Sequence, residues 1–250
     1  MSSAQARLSD SSGPRVWARR NKEVMIMDAE LFDRNYRGRL EKLSTTNLSD
    51  ALDQVGVRGA VIGIRPLFGM PKVVGRAVTI KMTAAGMVKS KRHLGIDAIA
   101  SAARGDVIAI DNRGDTYNNC WGEILSCAAQ QKGVAAVFVD GAARDVDFCQ
   151  EIGFPVFARA IVPITARGRI MQEDFNCPIR LGDVQVRPGD ILVGDVNGIV
   201  VIPEEKLDEV LAAAEKILEK EEQMKADILA GMDILEVDTK YNYEQMLSKK

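Results

Sequence analysis

The strongest constraint on this chain is a pair of uninterrupted apolar runs, Val107-Ile108-Ala109-Ile110 and Ala135-Ala136-Val137-Phe138-Val139, set about one helix apart. Short continuous runs of this kind suit strands buried on both faces. Gly105-Asp106 turns the chain into the first run, residues 123–131 read as a helix, and Gly133 ends that helix. Strand, helix and strand in this order form a right-handed unit with parallel strands. Ligands of such units gather beyond the carboxyl ends of the strands. Asp111, Asp140 and the loop at Gly122 fall there.

The remaining elements follow in chain order. Residues 28–43 carry helical spacing, with Leu31, Phe32, Tyr36, Leu40 and Leu43 on a common face. Residues 44–47 supply cap chemistry; Asn47 then leads a helix with Asp50 in its first turn, Leu48, Leu52 and Val55 as its buried stripe, and Gly56 at its end. Residues 62–64 and 73–82 read as strands, with Gly75 a bulge or tight approach. Residues 95–103 form a short helix with Ile96 and Ile99 inward, and residues 111–119 a polar loop. A helix over residues 145–152 precedes strands at 155–158, 179–186, 190–193 and 198–202. Pro203-Glu204-Glu205 opens a long helix to about Leu229, stopped by Gly231. Its charged stretch from Lys216 to Lys225 is either solvated or in contact with another subunit. This order gives a three-layer α/β domain with a mixed sheet. The chain is expected to divide into a poorly ordered leader (residues 1–27), one domain (28–232) and a C-terminal extension (233–250).

Composition removes several function classes. With 27% charged residues and a net charge of −2, there is no electrostatic case for nucleic-acid or membrane partners. The local basic cluster of Lys89, Lys91, Arg92 and His93 reads as a solvated loop. No apolar run reaches the roughly 20 residues that span a bilayer, and the N-terminus lacks a signal-peptide core, so a cytoplasmic location is expected. The single histidine, His93, excludes multi-histidine zinc sites within one chain. A bound metal would therefore be a hard cation on oxygen ligands: Mg²⁺, Mn²⁺ or Ca²⁺. Cys120, Cys127, Cys149 and Cys177 show no C-x-x-C spacing and are expected to be reduced and buried; only Cys120 stands close to the candidate site.

That site joins Gly122-Glu123-Ile124-Leu125 to Arg144-Asp145, because the intervening helix and strand fold the two ends back on each other. Gly122 permits close backbone approach. The amides of Glu123, Ile124 and Leu125 lie in a first helical turn without internal acceptors, where a carboxylate binds well. Arg144 offers a planar fork of donors for a carboxylate or an enolate oxygen. Asp145 can ligate a hard cation, and Glu123 can position water as a base. No lysine lies in the motif for Schiff-base chemistry. Nucleotide-dependent methyl transfer lacks its glycine-rich loop.

Three stretches carry a family resemblance: Trp121-Gly122-Glu123-Ile124-Leu125, then Gly133 through Asp140-Gly141 to Arg144-Asp145, then Gly153-Phe154-Pro155-Val156-Phe157-Ala158-Arg159. They closely resemble the family containing 4-hydroxy-4-methyl-2-oxoglutarate aldolase and the regulator of ribonuclease E activity A. Residues 43–53, 75–80, 187–190 and 195–203 also look like it, so the likeness covers roughly residues 40–235. The resemblance implies a swivelling β/β/α-type domain and a ring-shaped homotrimer, or a dimer of trimers, with sites between subunits. It implies a Mg²⁺- or Mn²⁺-dependent aldolase for pyruvate-derived hydroxy acids, with oxaloacetate decarboxylase activity. By motif, Asp145 matches the metal ligand, Arg144 the substrate-binding arginine, and Gly122, Glu123, Ile124 and Leu125 the loop that holds the substrate carboxylate. The chain departs from the pattern at Phe148, where an acid is common, and Asp147 stands one position earlier. An acid from a neighbouring subunit is expected from among Glu219, Glu221 and Glu222. The alternative within the family is a regulator that binds a ribonuclease or another protein.

Overall fold

The computed structural model describes residues 27–88 and 92–242. The expected leader therefore lies outside the described residues except for Met27, as do Lys89 and Lys91 of the basic cluster and residues 243–250 of the extension.

A broken helical segment comes first: α1 (Ala29–Phe32), a π-helical turn (Asp33–Arg37) and α2 (Gly38–Leu40). It buries Phe32, Leu40 and Leu43, whereas Leu31 is 42% exposed. Positions 32, 36, 40 and 43 form the inward stripe, and Leu31 falls one residue off it. α3 (Thr45–Gln54) begins earlier than its expected start near Asn47. Ser44 is the N-cap, and its hydroxyl and the Asn47 side chain satisfy each other's backbone amides in a capping box.

Strands β1 (Ala60–Val61) and β2 (Arg65–Pro66) flank an exposed Ile62, so the strand expected over residues 62–64 is displaced to either side. β3 (Val73–Ala84), α4 (Ile96–Ser101), β4 (Val107–Asn119), α5 (Glu123–Lys132), β5 (Ala136–Ala143) and α6 (Val146–Glu151) follow. Next come β6 (Val156–Ala158), β7 (Ala160–Ile161), β8 (Ile170–Phe175), β9 (Ile179–Leu181), β10 (Val184–Val186), β11 (Ile191–Asp195) and β12 (Gly198–Ile202). The long helix α7 (Leu207–Leu229) is entered through a 3₁₀ turn (Glu204–Lys206), and α8 (Ile234–Tyr241) packs back on it.

The main sheet runs β1-β12-β11-β3-β4-β5-β6-β2, with β8 also on β3 and β7 on β5. β3, β4, β5 and β6 pair in parallel, and β11 and β12 add antiparallel strands, so the sheet is mixed as expected. Period-two alternation in the apolar runs explains the layers. Ile108, Ile110, Val137 and Val139 meet the layer holding α4, α5 and α6. Val107, Ala109 and Phe138 point the other way, onto Ile179, Leu181, Val184 and Val186 of the β9–β10 hairpin. A third cluster packs α3 and α7 on β11 and β12. Gly75 proves to be a tight approach: a Cβ there would lie 2.4 Å from the Gly105 carbonyl oxygen.

Three expectations are corrected. Residues 111–119 are not a free loop; β4 continues through them, meeting β5 again at Asp115↔Gly141 and Asn119↔Ala142 after register shifts. Side-chain turns made by Asp111 to the Arg113 amide and by Asp115 to the Tyr117 and Asn118 amides fold the excess residues out between those pairings. Ile96, expected inward, is 45% exposed because it begins α4 at a cleft edge, and Leu94, Ala98 and Ile99 fill the core instead. β8 has no expected counterpart, since Ile170–Phe175 breaks its apolar residues with Gln172, Glu173 and Asp174 and pairs only with residues 80–84 of β3.

Asp195 ties α3 to the β11–β12 turn. Its carboxylate accepts from the Thr45 amide (2.8 Å) and hydroxyl (2.7 Å) and from the Asn197 amide (2.9 Å). Burial pushes its pKa up, but these bonds and Lys72 outweigh burial and hold it below the ordinary aspartate value. A depressed carboxyl stabilises the fold above its unfolded pKa and loses that contribution as pH falls through the folded one. Asp195→Asn should therefore cost about 1–3 kcal/mol at neutral pH in urea unfolding. The gap to the unsubstituted chain should close below about pH 4.

Candidate active site

The site is built on Trp121, which is fully buried. Its ring stacks on Phe154 at 6.4 Å, and its indole N–H donates to the Ser126 hydroxyl (2.8 Å). Ser126 in turn donates to the Gly122 carbonyl from both its hydroxyl and its amide (3.0 Å each). The Arg144 amide donates to the Trp121 carbonyl (3.0 Å). These bonds clasp the start of α5 to the end of β5, so the two halves of the motif converge as the sequence predicted.

Since Ser126 makes the first bond back to Gly122, the amides of Glu123, Ile124 and Leu125 have no acceptor within α5. One is taken from outside: Asp145 Oδ2 accepts from the Glu123 amide at 3.1 Å. Asp145 precedes α6 in a left-handed conformation (φ 54°, ψ 42°), an unusual state for a residue with a side chain. The Arg144 Nε lies 3.2 Å from the same Oδ2, yet it is buried with no hydrogen bond. A buried donor that is ion-paired but not hydrogen-bonded calls for an acceptor.

Gly122 has extended backbone, φ −159°, that any residue could adopt. What excludes a side chain is space: a Cβ would lie 2.6 Å from Asp145 Oδ2 and 3.4 Å from Arg144 Cγ. Glu123 is exposed, Ile124 is 74% exposed, and Leu125 turns its side chain into the core, so Leu125 can offer only its amide. Phe148 is half-buried and Asp147 exposed.

All six residues of the motif line one cleft of about 800 Å³ between α4, α5 and the segment at Thr165–Arg167. His93, an exposed loop histidine as expected, also lines it. So does Asn119, the one residue of the polar stretch 113–119, expected to meet the distal part of a substrate, that lines it; Lys132 and Arg167, which sequence reasoning did not assign, line it too. Asn119 is 5% exposed and its Oδ1 lacks a partner. Nothing local in the sequence marks Arg167, which reaches the cleft through the return of the chain after β7.

Other sequence candidates go elsewhere. Asp140 pairs with Arg159 and accepts from the Gly182 amide (2.8 Å); Asp111 accepts from the Arg113 (2.9 Å) and Arg180 (3.2 Å) amides. Both carboxylates hold the β9–β10 hairpin to the sheet rather than facing the cleft. Glu221 accepts from Asn47 of the same chain (2.8 Å), while Glu219 and Glu222 are exposed on α7 away from the cleft. Of the cysteines, all free, Cys120 and Cys149 are buried, Cys177 is half-buried and Cys127 is exposed on α5, contrary to expectation. Burial pushes the Cys120 thiol far up, so it is no nucleophile despite its place beside the site.

Among the described residues no three His, Cys, Asp or Glu side chains converge as a metal cluster. Asp145 offers a single hard carboxylate. Mg²⁺ is commonly held by one or two carboxylates with waters and ligand oxygens completing the shell, so this donor set fits such a cation.

The sequence profile of the RraA-like family, described as Aldolase/RraA, matches residues 45–201. The chain belongs to the RraA-like family. A Halalkalibacterium halodurans relative with the provisional name 4-hydroxy-4-methyl-2-oxoglutarate aldolase is 37% identical over 70% of this chain and 79% of its own length. Protein DlpA of Legionella pneumophila is 31% identical over 84% of this chain, which spans about a third (34%) of that protein. The crystal structure of Streptomyces coelicolor RraAS2, described as an unusual member of the RNase ES inhibitor RraA family, superposes with a TM-score of 0.70 at 26% identity. It covers 80% of this chain and 97% of its own. Among the described residues no helix is long and apolar enough to cross a membrane.

The cleft geometry makes Gly122 testable without any assay of turnover. Gly122→Ala should push the Asp145 carboxylate off the Glu123 amide. That amide should then exchange with solvent faster by NMR, with a loss of about 1 kcal/mol in stability.

Proposed function

We propose that the chain is a divalent-metal-dependent pyruvate aldolase that cleaves a 4-hydroxy-2-oxo acid by retro-aldol chemistry, with oxaloacetate decarboxylation as a side activity. The observation that carries this reading is the convergence of the α5 first-turn amides with Arg144 and Asp145 in one cleft. Membership of the Aldolase/RraA family supports it.

Asp145 would hold Mg²⁺ or Mn²⁺, which when bound supplies Lewis-acid polarisation of the 2-oxo group. The free amides of the α5 first turn bind the substrate carboxylate, helped by the positive helix end. Arg144 carries a buried Nε that is ion-paired with Asp145 but makes no hydrogen bond, and a half-exposed guanidinium; it donates to the oxygen on which charge develops. As the C3–C4 bond breaks, its electron pair passes to the pyruvyl unit as an enolate and C4 becomes a carbonyl. The exposed carboxylate of Glu123 orders the water that takes the proton of the 4-hydroxyl. Schiff-base chemistry has poor support: Lys132, the lysine of the cleft, lies nine residues along α5 from Glu123, roughly 13 Å at the rise of a helix.

The same reading takes the protein as a cytoplasmic homotrimer, or a dimer of trimers. A neighbouring subunit then brings an acid of α7, Glu219 or Glu222 before the already bonded Glu221, to the site. A second reading is a protein-binding regulator acting on a ribonuclease or another partner; the structural likeness to RraAS2 favours it. A ribonuclease pull-down set beside a pyruvate-release assay separates the two.

Asp145→Ala should abolish metal-dependent pyruvate release from 4-hydroxy-2-oxo acids and from oxaloacetate; unchanged turnover would sink the assignment. Arg144→Ala should lower kcat/KM at least about 10²-fold, as loss of a transition-state donor does.

A further inference from the structure

Asn119 lines the cleft with only 5% of its surface exposed, and among the described residues nothing donates to its Oδ1. The other end of the amide sets its orientation. Nδ2 donates to the Trp121 carbonyl at 3.3 Å, and a flipped amide would bring two carbonyl oxygens together. The same carbonyl accepts from the Arg144 amide at 3.0 Å, so the Asn119 side chain and the Arg144–Asp145 step are tied to one atom. Asn112 and Asn118 also have side-chain oxygens without a donor, but neither lines the cleft. Arg144 Nε, the other buried group there without a hydrogen bond, is a donor, yet it does not bond Oδ1.

A buried acceptor left without a donor costs about 1–3 kcal/mol, so a donor is expected when the site is filled. The candidates are few. The head of a 2-oxo acid presents keto and carboxylate oxygens, which only accept. The acids that a neighbouring subunit brings in the proposed trimer are acceptors as well. The 4-hydroxyl has a single proton, and it goes to the base water. A hydrated divalent cation differs from all of these, because its waters turn their oxygens to the metal and their protons outward. A cation held by one carboxylate, as Asp145 would hold it, keeps several such waters.

We infer that Asn119 Oδ1 accepts a hydrogen bond from a water of the Mg²⁺ or Mn²⁺ bound at Asp145, and so fixes the cation through its hydration shell. The inference rests on the metal-dependent part of the proposed function and adds a positioning residue to it. A neutral amide suits this place: it holds the cation without adding negative charge beside the incoming substrate carboxylate.

The test uses the full chain, stripped with a chelator and titrated with MnCl₂ by calorimetry and by the electron paramagnetic resonance of the free ion. Asn119→Ala should weaken Mn²⁺ binding about 10- to 100-fold, the usual loss when a group bonded to a metal's ligands is removed. Asn118→Ala, which deletes an equally unpartnered oxygen outside the cleft, should bind Mn²⁺ within about twofold of the unsubstituted chain. Thermal unfolding of the metal-free forms shows whether Asn119→Ala still folds. Whether or not it does, a crystal structure of the unsubstituted chain with Mn²⁺ should show a cation-bound water donating to Asn119 Oδ1. Oδ1 bonded instead to a protein donor, or coordinated directly to the cation, overturns the inference. So does Mn²⁺ affinity in a folded Asn119→Ala within about twofold of the unsubstituted chain; if the unsubstituted chain then still releases pyruvate with Mn²⁺, the aldolase reading stands alone. If Mn²⁺ binding depends on Asn119 as expected but no hydroxy acid is cleaved, the aldolase reading fails and the inference stands. Absence of Mn²⁺ binding by the unsubstituted chain overturns both.

Discussion

The hydrogen bond from the Arg144 amide to the Trp121 carbonyl is the contact on which the site depends. It extends the Asn119↔Ala142 pairing and the bond from the Cys120 amide to the Ala142 carbonyl, so that the start of α5 stays joined to the end of β5. A single backbone bond contributes only about 1 kcal/mol, too little to fix a loop by itself. Its geometry is held by the burial of Trp121, whose truncation on general grounds would cost about 3–5 kcal/mol. The indole is pinned twice, against the Phe154 ring and through its N–H to Ser126, and Ser126 is bonded back to Gly122. The core therefore sets the position of the loop, and the loop inherits core rigidity at a solvent-facing cleft.

That rigidity makes it possible to hold Asp145 in a left-handed conformation, which costs on the order of 1–3 kcal/mol for a residue with a side chain. The neighbours offset it: the Glu123 amide donates to the Asp145 carboxylate, and the Cys149 amide to its carbonyl. The result is a carboxylate placed at the positive end of α5, beside a guanidinium whose Nε has no hydrogen bond of its own. Charge of both signs therefore meets at the start of α5, in a cleft that Lys132 and Arg167 also line.

Much of the architecture was legible because its causes are local. The runs at residues 107–110 and 135–139 declare buried strands, and Gly133 closes α5 in a left-handed cap, φ 84°. The motif residues Gly122–Leu125 and Arg144–Asp145 were legible as a pair because a strand and a helix of known length return the chain to its start. Where partners are distant in sequence, reading failed. Asp111 and Asp140 have the chemistry of site residues, but the groups that claim them, in Arg159, Arg180 and Gly182, lie 19 to 69 residues away. β8 escaped notice because its apolar residues, Ile170, Met171 and Phe175, do not alternate with polar ones, and it forms only where β3 extends to receive it.

The sequence by itself determined the alternation of strands and helices, the absence of a multi-histidine centre, and the two motif stretches that the fold brings to one cleft. These follow from side-chain type, spacing and backbone preference, which act over a few residues. Only the tertiary structure decided which carboxylates stay available. It spends Asp111 and Asp140 on the β9–β10 hairpin, Glu221 on Asn47 and Asp195 on Thr45, and leaves Asp145 and Glu123 at the cleft. It also left Ile96 and Ile124 exposed on the lining of one cleft. The reason is that solvation and pairing are properties of a side chain's surroundings, and those surroundings are assembled from segments that the chain brings together only on folding.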